Sequence, residues 1–564
     1  RQPSWVLKGT AGLARMSHGA VIENVSNRKL CYMAGALAAA QAAFFLIGAL
    51  CSPVPSTYME FELVMCEDPS KGASGEWFHI RPQRCSVIDD LSTFKPQGSF
   101  DLREIVFVAQ MPHAREGRQL EYSPWFQFLL GLLQVDVEYH TAFKYEEGAK
   151  LKLDVRMGYR NHDDSPYSWH EFLSTNVTRA LDCLISSEKK VDGNLYDCGV
   201  MDLFELGSNN FPFYLLNIRI PIDVEACHKD PLSANCAIGK IHALRVIAIH
   251  QNGGFTRVWL ALKSLLFPVV TAALVWYERR LAALPRKRLL LERAILALGT
   301  ALAALDAPIE YLSLIFRLPF LLLISDIRQG LFYAVLFAFW LVFAGEHLID
   351  SDARNNLASY WRNLSVIAIG SGALLIYDIA ERGMQLADPF YSIWASETGT
   401  NIAYILIYIA TACTILYFAF LFYKVCLVCA TIRQKRAAQL YATCERRRLK
   451  VDAIIYRFKF LMLFTMVCCA VTIAAYYMRQ YGEASLHGDA PEESVMTHSS
   501  SAFFTGTFGM WNIYVLLLLA MYAPSHKQYS GAEALVDENA ELLDGAGQRV
   551  EANPLTTFLK PAND

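Results

Sequence analysis

"AIHQNGGFTRVW" (residues 248–259) separates two kinds of chain. Before it, apolar residues recur at every second position. After it they run on, with one lysine, through "LALKSLLFPVVTAALVWY" (260–277). A histidine, two adjacent amides and two glycines at that point are compatible with a catalytic corner, a metal site or a joint. The joint is favoured: Asn252-Gly253-Gly254 lets a chain leave a sheet and turn into a helix, because glycine tolerates positive φ and asparagine nearly does. His250 is then a hydrogen-bonding residue at a strand end rather than a ligand. Trp259 opens a membrane helix at headgroup depth.

Downstream, the composition demands a membrane. Of 564 residues 54% are hydrophobic and only 19% charged, against about 25% charge in an average globular protein. The excess sits in runs near 256–277, 294–316, 329–349, 364–383, 401–423, 457–478 and 503–523, with an earlier one, "CYMAGALAAAQAAFFLIGAL", at 31–50. Each approaches the roughly 20 residues a spanning helix requires, which predicts eight spans. The first run is read as a retained anchor; a cleaved signal peptide is its rival, since "GALCSPVP" resembles a processing site. Residues 1–15 precede Met16 and are set aside as leader or appended sequence.

Charge asymmetry orients the spans. Arg279, Arg280, Arg286, Lys287, Arg288 and Arg293 crowd one connection, and Arg433, Lys435, Arg436, Arg446, Arg447, Arg448 and Lys450 another. Residues 384–400 and 480–502 carry neither Lys nor Arg. The positive-inside rule assigns the basic loops to the cytosol. Both termini are then cytosolic: 1–30 an amino-terminal segment, 31–50 the anchor, 51–254 a luminal block, 255–524 a seven-helix domain and 525–564 an acidic tail.

The luminal block reads as β structure. Leu133, Val135, Val137 and Tyr139 alternate with polar neighbours, as do Leu151, Leu153, Val155, Met157 and Tyr159, and Leu216, Ile218, Ile220 and Ile222. This period of two predicts an antiparallel sandwich, with "IHALRVIAIH" as its last strand. Six cysteines fall here in sequential pairs, Cys66 and Cys85, Cys183 and Cys198, Cys227 and Cys236. Of the fifteen pairings six cysteines allow, the sequential one is preferred; zinc lacks its two-to-four-residue ligand gap. Asn176 in "NVT" is a glycosylation acceptor.

Catalytic readings find little support. Tyr377-Asp378 resembles half of an intramembrane aspartyl protease, but no span offers the second aspartate in its glycine context, so Asp378 and Arg382 are expected to pair four residues apart. Glu346-His347 lacks the second histidine of an HExxH helix. Asp326 and Arg328 are expected to pair with Glu310 or Arg317. "PIEYLSLIFRLPFLLLISDIRQG" (308–330) reads as an apolar, proline-broken connection, tolerated at membrane depth only when packed in protein or lining a cavity. No metal, cofactor or nucleic acid is called for.

Several long segments resemble one family. "IHQNGGFTRVW", "PIEYLSLIF", "LLLISDIRQGLFYAVLFAFWLVFAGEH", "DPFYSIW", "IYRFKFLML" and "GMWNIYVLLLLAMYAPSHKQ" are similar, in order, to the signature segments of the Wntless family, from about Met16 to Gln528. The resemblance implies a luminal sandwich of GOLD type and seven later spans resembling a G-protein-coupled receptor bundle. It implies a non-enzymatic cargo receptor that carries palmitoleoylated Wnt proteins from endoplasmic reticulum through Golgi to the cell surface, then returns through endosomes with retromer and clathrin adaptors. A signalling receptor is the alternative, although no Asp-Arg-Tyr triplet ends a third helix.

Such an acyl chain holds on the order of 14 apolar carbons; at roughly 0.8 kcal/mol per CH₂ that is about 10 kcal/mol of membrane attachment. A carrier must match it with an apolar cavity entered from the bilayer lipids. Carried onto this chain, the family's cavity among the fourth to sixth spans would be lined by Tyr333, Phe337, Trp340, Ile376, Tyr377, Ile405 and Tyr408. Cys227–Cys236 looks like an insertion the family does not require. The family's tyrosine sorting signal is not evident; "ENAELL", with Glu538 before Leu542-Leu543, resembles an acidic dileucine signal instead. Cys426 and Cys429 at a cytosolic helix end are candidates for palmitoylation.

Overall fold

The computed structural model describes residues 21, 27–68, 85–88, 104–114, 119–230, 233–284, 286–346, 356–437, 460, 462–468, 470–472, 474 and 495–524. Its first body is a β-sandwich. Strands β1 (Ser56–Glu62), β2 (Val64–Glu67), β3 (Ile105–Met111), β4 (Leu129–Glu138), β5 (Lys150–Arg160), β6 (His170–Ala180), β7 (Cys183–Leu184), β8 (Asp197–Cys198), β9 (Met201–Leu206), β10 (Phe213–Arg219) and β11 (Lys240–Gln251) pair antiparallel. One sheet runs β1-β11-β4-β9, the second β2-β3-β10-β5-β6, and β7 and β8 form a small two-stranded third.

The alternation seen in the sequence builds the core between them. Leu133, Val135 and Val137 meet Leu151, Leu153, Val155 and Met157 and, from β10, Leu216 and Ile218. In β11 a bulge between Ile241 and Ala243 shifts the parity. The extra residue turns Leu244, Val246 and Ala248 inward and leaves Ile247 and Ile249 in a separate cluster with Leu132. Three disulfides tie the loops: Cys66–Cys85, Cys183–Cys198 and Cys227–Cys236.

The joint is where the sequence places it, but it works differently. Asn252 has φ −68° and caps the next helix, its side chain accepting from the Gly254 amide at 2.9 Å. Neither glycine adopts positive φ. They are needed for closeness: a Cβ on Gly254 would meet Pro53 at 2.9 Å, and one on Gly253 would meet the Phe126 ring at 3.1 Å.

The helices are α1 (Asn27–Leu46, extended by a π turn to Cys51), α2 (Gly253–Ala282), α3 (Leu290–Asp306), α4 (Leu321–Glu346), α5 (Trp361–Gln385), α6 (Glu397–Ala437) and α7 (Val495–Met521). Among the described residues seven helices are long and apolar enough to cross a membrane, making this a multi-pass membrane protein. The expected span at 457–478 is described only at 460, 462–468, 470–472 and 474, where Met462–Thr472 is a shorter apolar helix. Helices α2 to α6 pack each on the next, and α7 packs against α1, α2 and α3. Close approach of α1 to α7 depends on Gly506 and Gly509, where any Cβ would strike the rings of Phe45 and Phe44.

One expected boundary is wrong. The run at 294–316 matches an apolar span over Leu290–Leu314, α-helical to Asp306 and finished by a 3-10 turn, Ile309–Leu314. The next span begins at Leu321, not 329, so the second half of the supposed connection is helical. Its charges do not break the helix because Arg328 reaches Glu310 at 2.9 Å and Asp326 reaches Arg382 at 3.0 Å. Arg382 also bonds Glu205 at 2.8 Å, so its partners lie across the fold rather than one turn back at Asp378. Glu346 at the far end of α4 is buried and accepts from the Tyr360 hydroxyl at 2.9 Å.

Candidate lipid-binding wall

Helix α4 brings Tyr333, Phe337 and Trp340 onto one stripe, as positions three and four apart must fall. Tyr333 and Phe337 stack with centroids 6.1 Å apart, and Phe337 lies 5.7 Å from Trp340. Trp340 is buried, its indole N–H donating to the Tyr514 hydroxyl at 3.2 Å. Phe337 also contacts Tyr417 at 5.1 Å and Phe418 at 5.8 Å on α6, while the Tyr417 hydroxyl donates to the Phe337 carbonyl at 3.0 Å. These two α6 rings escaped the sequence reading, because a uniformly apolar helix shows no facing.

The remaining candidates form a second, outward group. Ile376, Ile405 and Tyr408 are more than half exposed, and Tyr377 is half-buried against Trp394 at 6.5 Å. Trp394 meets Tyr404 at 5.4 Å, which stacks on Tyr408 at 6.0 Å. The structure therefore gathers Tyr333, Phe337 and Trp340 in the bundle and sets Ile376, Tyr377, Ile405 and Tyr408 along α5 and α6, with Ile376, Ile405 and Tyr408 exposed.

The connection from α5 to α6 docks into the sandwich. Phe390 is 2% exposed inside the sandwich core, 5.6 Å from Phe204. The Glu205 amide donates to the Pro389 carbonyl at 2.8 Å, and Arg179 donates to the Phe390 carbonyl at 2.7 Å. Burial pushes the Glu205 carboxyl above its usual range against the pull of Arg382. A second contact is made by the 307–320 segment, where Gln127 donates to Ser313 at 3.2 Å and Arg317 lies 4.7 Å above the Phe211 ring. A third is at the joint itself, where Arg257 on α2 lies 5.3 Å from the Trp125 ring; just before it, within the sandwich, the His250 ring bonds Thr57 at 3.1 Å and packs on Phe126 at 4.7 Å.

Among the described residues no group of three or more His, Cys, Asp or Glu side chains is placed to hold a metal ion. Asn176 stands exposed on β6, the edge strand of its sheet. Cys426 and Cys429 are exposed and unpaired near the end of α6. Glu538, Leu542 and Leu543 lie outside the described residues.

A sandwich joined at Gln251–Asn252 to an apolar bundle matches two family patterns, one for each body. Residues 64–251 match "Wntless, GOLD domain" and residues 252–526 match "Wntless-like, transmembrane domain". The chain belongs to the Wntless family. It is 60% identical over 552 residues to "Protein wntless homolog" of Caenorhabditis elegans, covering 97% of this chain and 100% of that one. To the Homo sapiens "Protein wntless homolog" it is 41% identical over 96% of this chain and 97% of that one. "Protein wntless" of Drosophila mojavensis is 41% identical over 91% and 90%. The boundary between the two Wntless patterns coincides with the Asn252 helix cap, so the sheet-to-helix joint is also the seam between the family's two domains.

Proposed function

We propose that this chain is a carrier without turnover for Wnt proteins bearing a palmitoleoyl chain. The acyl chain is held between α4, α5 and α6, lined by Tyr333, Phe337, Trp340, Ile376, Tyr377, Ile405 and Tyr408, and the sandwich grips the protein part. The observation that carries this reading is the contact of Tyr377 on α5 and Tyr404 on α6 with Trp394, in a helix connection that is itself docked into the sandwich by Phe390. A cargo with one greasy arm and one folded body needs both surfaces side by side. The basic connections and the exposed Asn176 acceptor support a luminal sandwich with both termini in the cytosol. From there the carrier moves through Golgi to the cell surface and returns through endosomes, with retromer and clathrin adaptors meeting the cytosolic tail at Glu538 and Leu542-Leu543.

The test is co-purification of acylated Wnt with Phe337→Asp and Tyr377→Asp carriers, each scored for its own arrival at the surface. A carboxylate in a lipid-holding wall carries the steep desolvation cost of an unpaired buried charge. Cargo binding should be abolished while surface delivery of the carrier persists. Wild-type amounts of bound Wnt in both variants would remove the cavity from α4–α6.

A further inference from the structure

We infer that Arg382 is a positioning residue: one guanidinium pins α5 to α4 and both to the sandwich, and so sets the width of the seam through which an acyl chain enters. This deepens the carrier reading and rests on it. Arg382 Nη1 lies 2.8 Å from Glu205 Oε1 on β9, and its Nε lies 3.0 Å from Asp326 Oδ2 on α4. The three side chains are 20–31% exposed, shielded from water without being dry. They belong to three separate pieces of the fold, β9, α4 and α5.

The location matters as much as the charge. Arg382 follows Tyr377 by five residues, about 7.5 Å along α5, and Asp326 precedes Tyr333 by seven, about 10 Å along α4. The pin therefore crosses the α4–α5 seam just on the sandwich side of the candidate wall. The neighbouring turn is bound to the same body: Glu381 accepts from the Ile393 amide at 2.7 Å, and Phe390 sits in the sandwich core. Movement of the sandwich is transmitted to α5 through these contacts. Without the guanidinium, the Glu205 and Asp326 carboxyls lose the group that ties β9 to α4 and α5, and the sandwich, α4 and α5 are free to separate. The seam then no longer holds the spacing that grips a chain.

The experiment uses the full chain in lipid nanodiscs and two cargo probes, a Wnt protein carrying palmitoleate and the same protein without it. The wild-type arm tests the carrier reading alone: equal capture of the two probes defeats that reading and this inference with it. Given discrimination, Arg382→Gln should lower capture of the acylated probe about tenfold and leave capture of the other unchanged, with Arg382→Lys recovering part of the loss. Glu205→Gln and Asp326→Asn, each touching one arm of the pin, should each lower acylated capture. Neither should lower it further in an Arg382→Gln background, since residues acting through one network are not additive. Thermal unfolding of each variant verifies that it is folded, and the two single-arm variants serve if Arg382→Gln is not. Unchanged acylated capture, an equal fall for both probes, or additive losses would overturn the assignment.

Discussion

Phe390 offers a direct measure of how firmly the bundle holds the sandwich. Its ring belongs to the α5–α6 connection yet is 2% exposed within the sandwich core. Truncation of a buried phenylalanine to alanine costs about 3–5 kcal/mol. The lower end applies here, because the Arg179 bond to the Phe390 carbonyl and the Asp388 bond to the Phe390 amide survive the change. About 3 kcal/mol in the free energy of undocking is about a hundredfold in its equilibrium, by the tenfold that each 1.4 kcal/mol represents. The reporter is the Glu205 amide, whose acceptor is the Pro389 carbonyl at 2.8 Å rather than a neighbouring strand. In Phe390→Ala its hydrogen exchange should accelerate about a hundredfold, because that bond opens when the connection undocks. Amides within the β4–β11 ladder, such as Leu133 and Val246, should exchange at wild-type rates. An unaltered Glu205 amide, or equal acceleration in the ladder, would show that the connection is not a separately docked element.

Two further outcomes are expected. Replacing Cys183 and Cys198 by alanine opens a loop with a sequence separation of 15; the loss should be about 3 kcal/mol, and an unchanged thermal midpoint of the full chain would contradict it. His250 is held below its ordinary value of 6.5 by burial, so the unfolded chain takes up a proton before the folded one does. Its contribution is intact above pH 6.5 and is lost as pH falls below that value toward the folded-state pKa; His250→Gln should lose this part of the acid slope in thermal unfolding, and parallel curves would refute it.

The sandwich was legible because its signal is local and repeated. Alternation at Leu133–Val137 and Leu151–Met157 needs only the knowledge that one sheet face meets a core. What alternation does not carry is parity across an irregularity. The β11 bulge at Ile241/Ala243 leaves "IHALRVIAIH" looking like an ordinary strand while turning Ile247 and Ile249 away from the main core. The spans were legible as runs, and their ends were not. Asp326 and Arg328 look like a boundary in one dimension, but partners contributed by other segments let α4 begin at Leu321.

The site divides the same way, and the division says where control lies. Neighbours on one helix, Tyr333 with Phe337 and Phe337 with Trp340, follow from helical spacing alone. The i, i+4 rule also pairs Asp378 with Arg382, and here it misleads, since the guanidinium finds stronger partners 177 residues away at Glu205 and across the seam at Asp326. Phe390, too, is an unremarkable aromatic in "DPFYSIW" until the sandwich closes around it. Arg382 and Phe390 each join the helices to the sandwich, which is why neither role shows in the linear reading. Wall residues determine what an apolar ligand touches. How far the wall opens is determined by contacts between bodies, so variants at Arg382 and Phe390 should alter the grip on cargo without changing one residue that touches it.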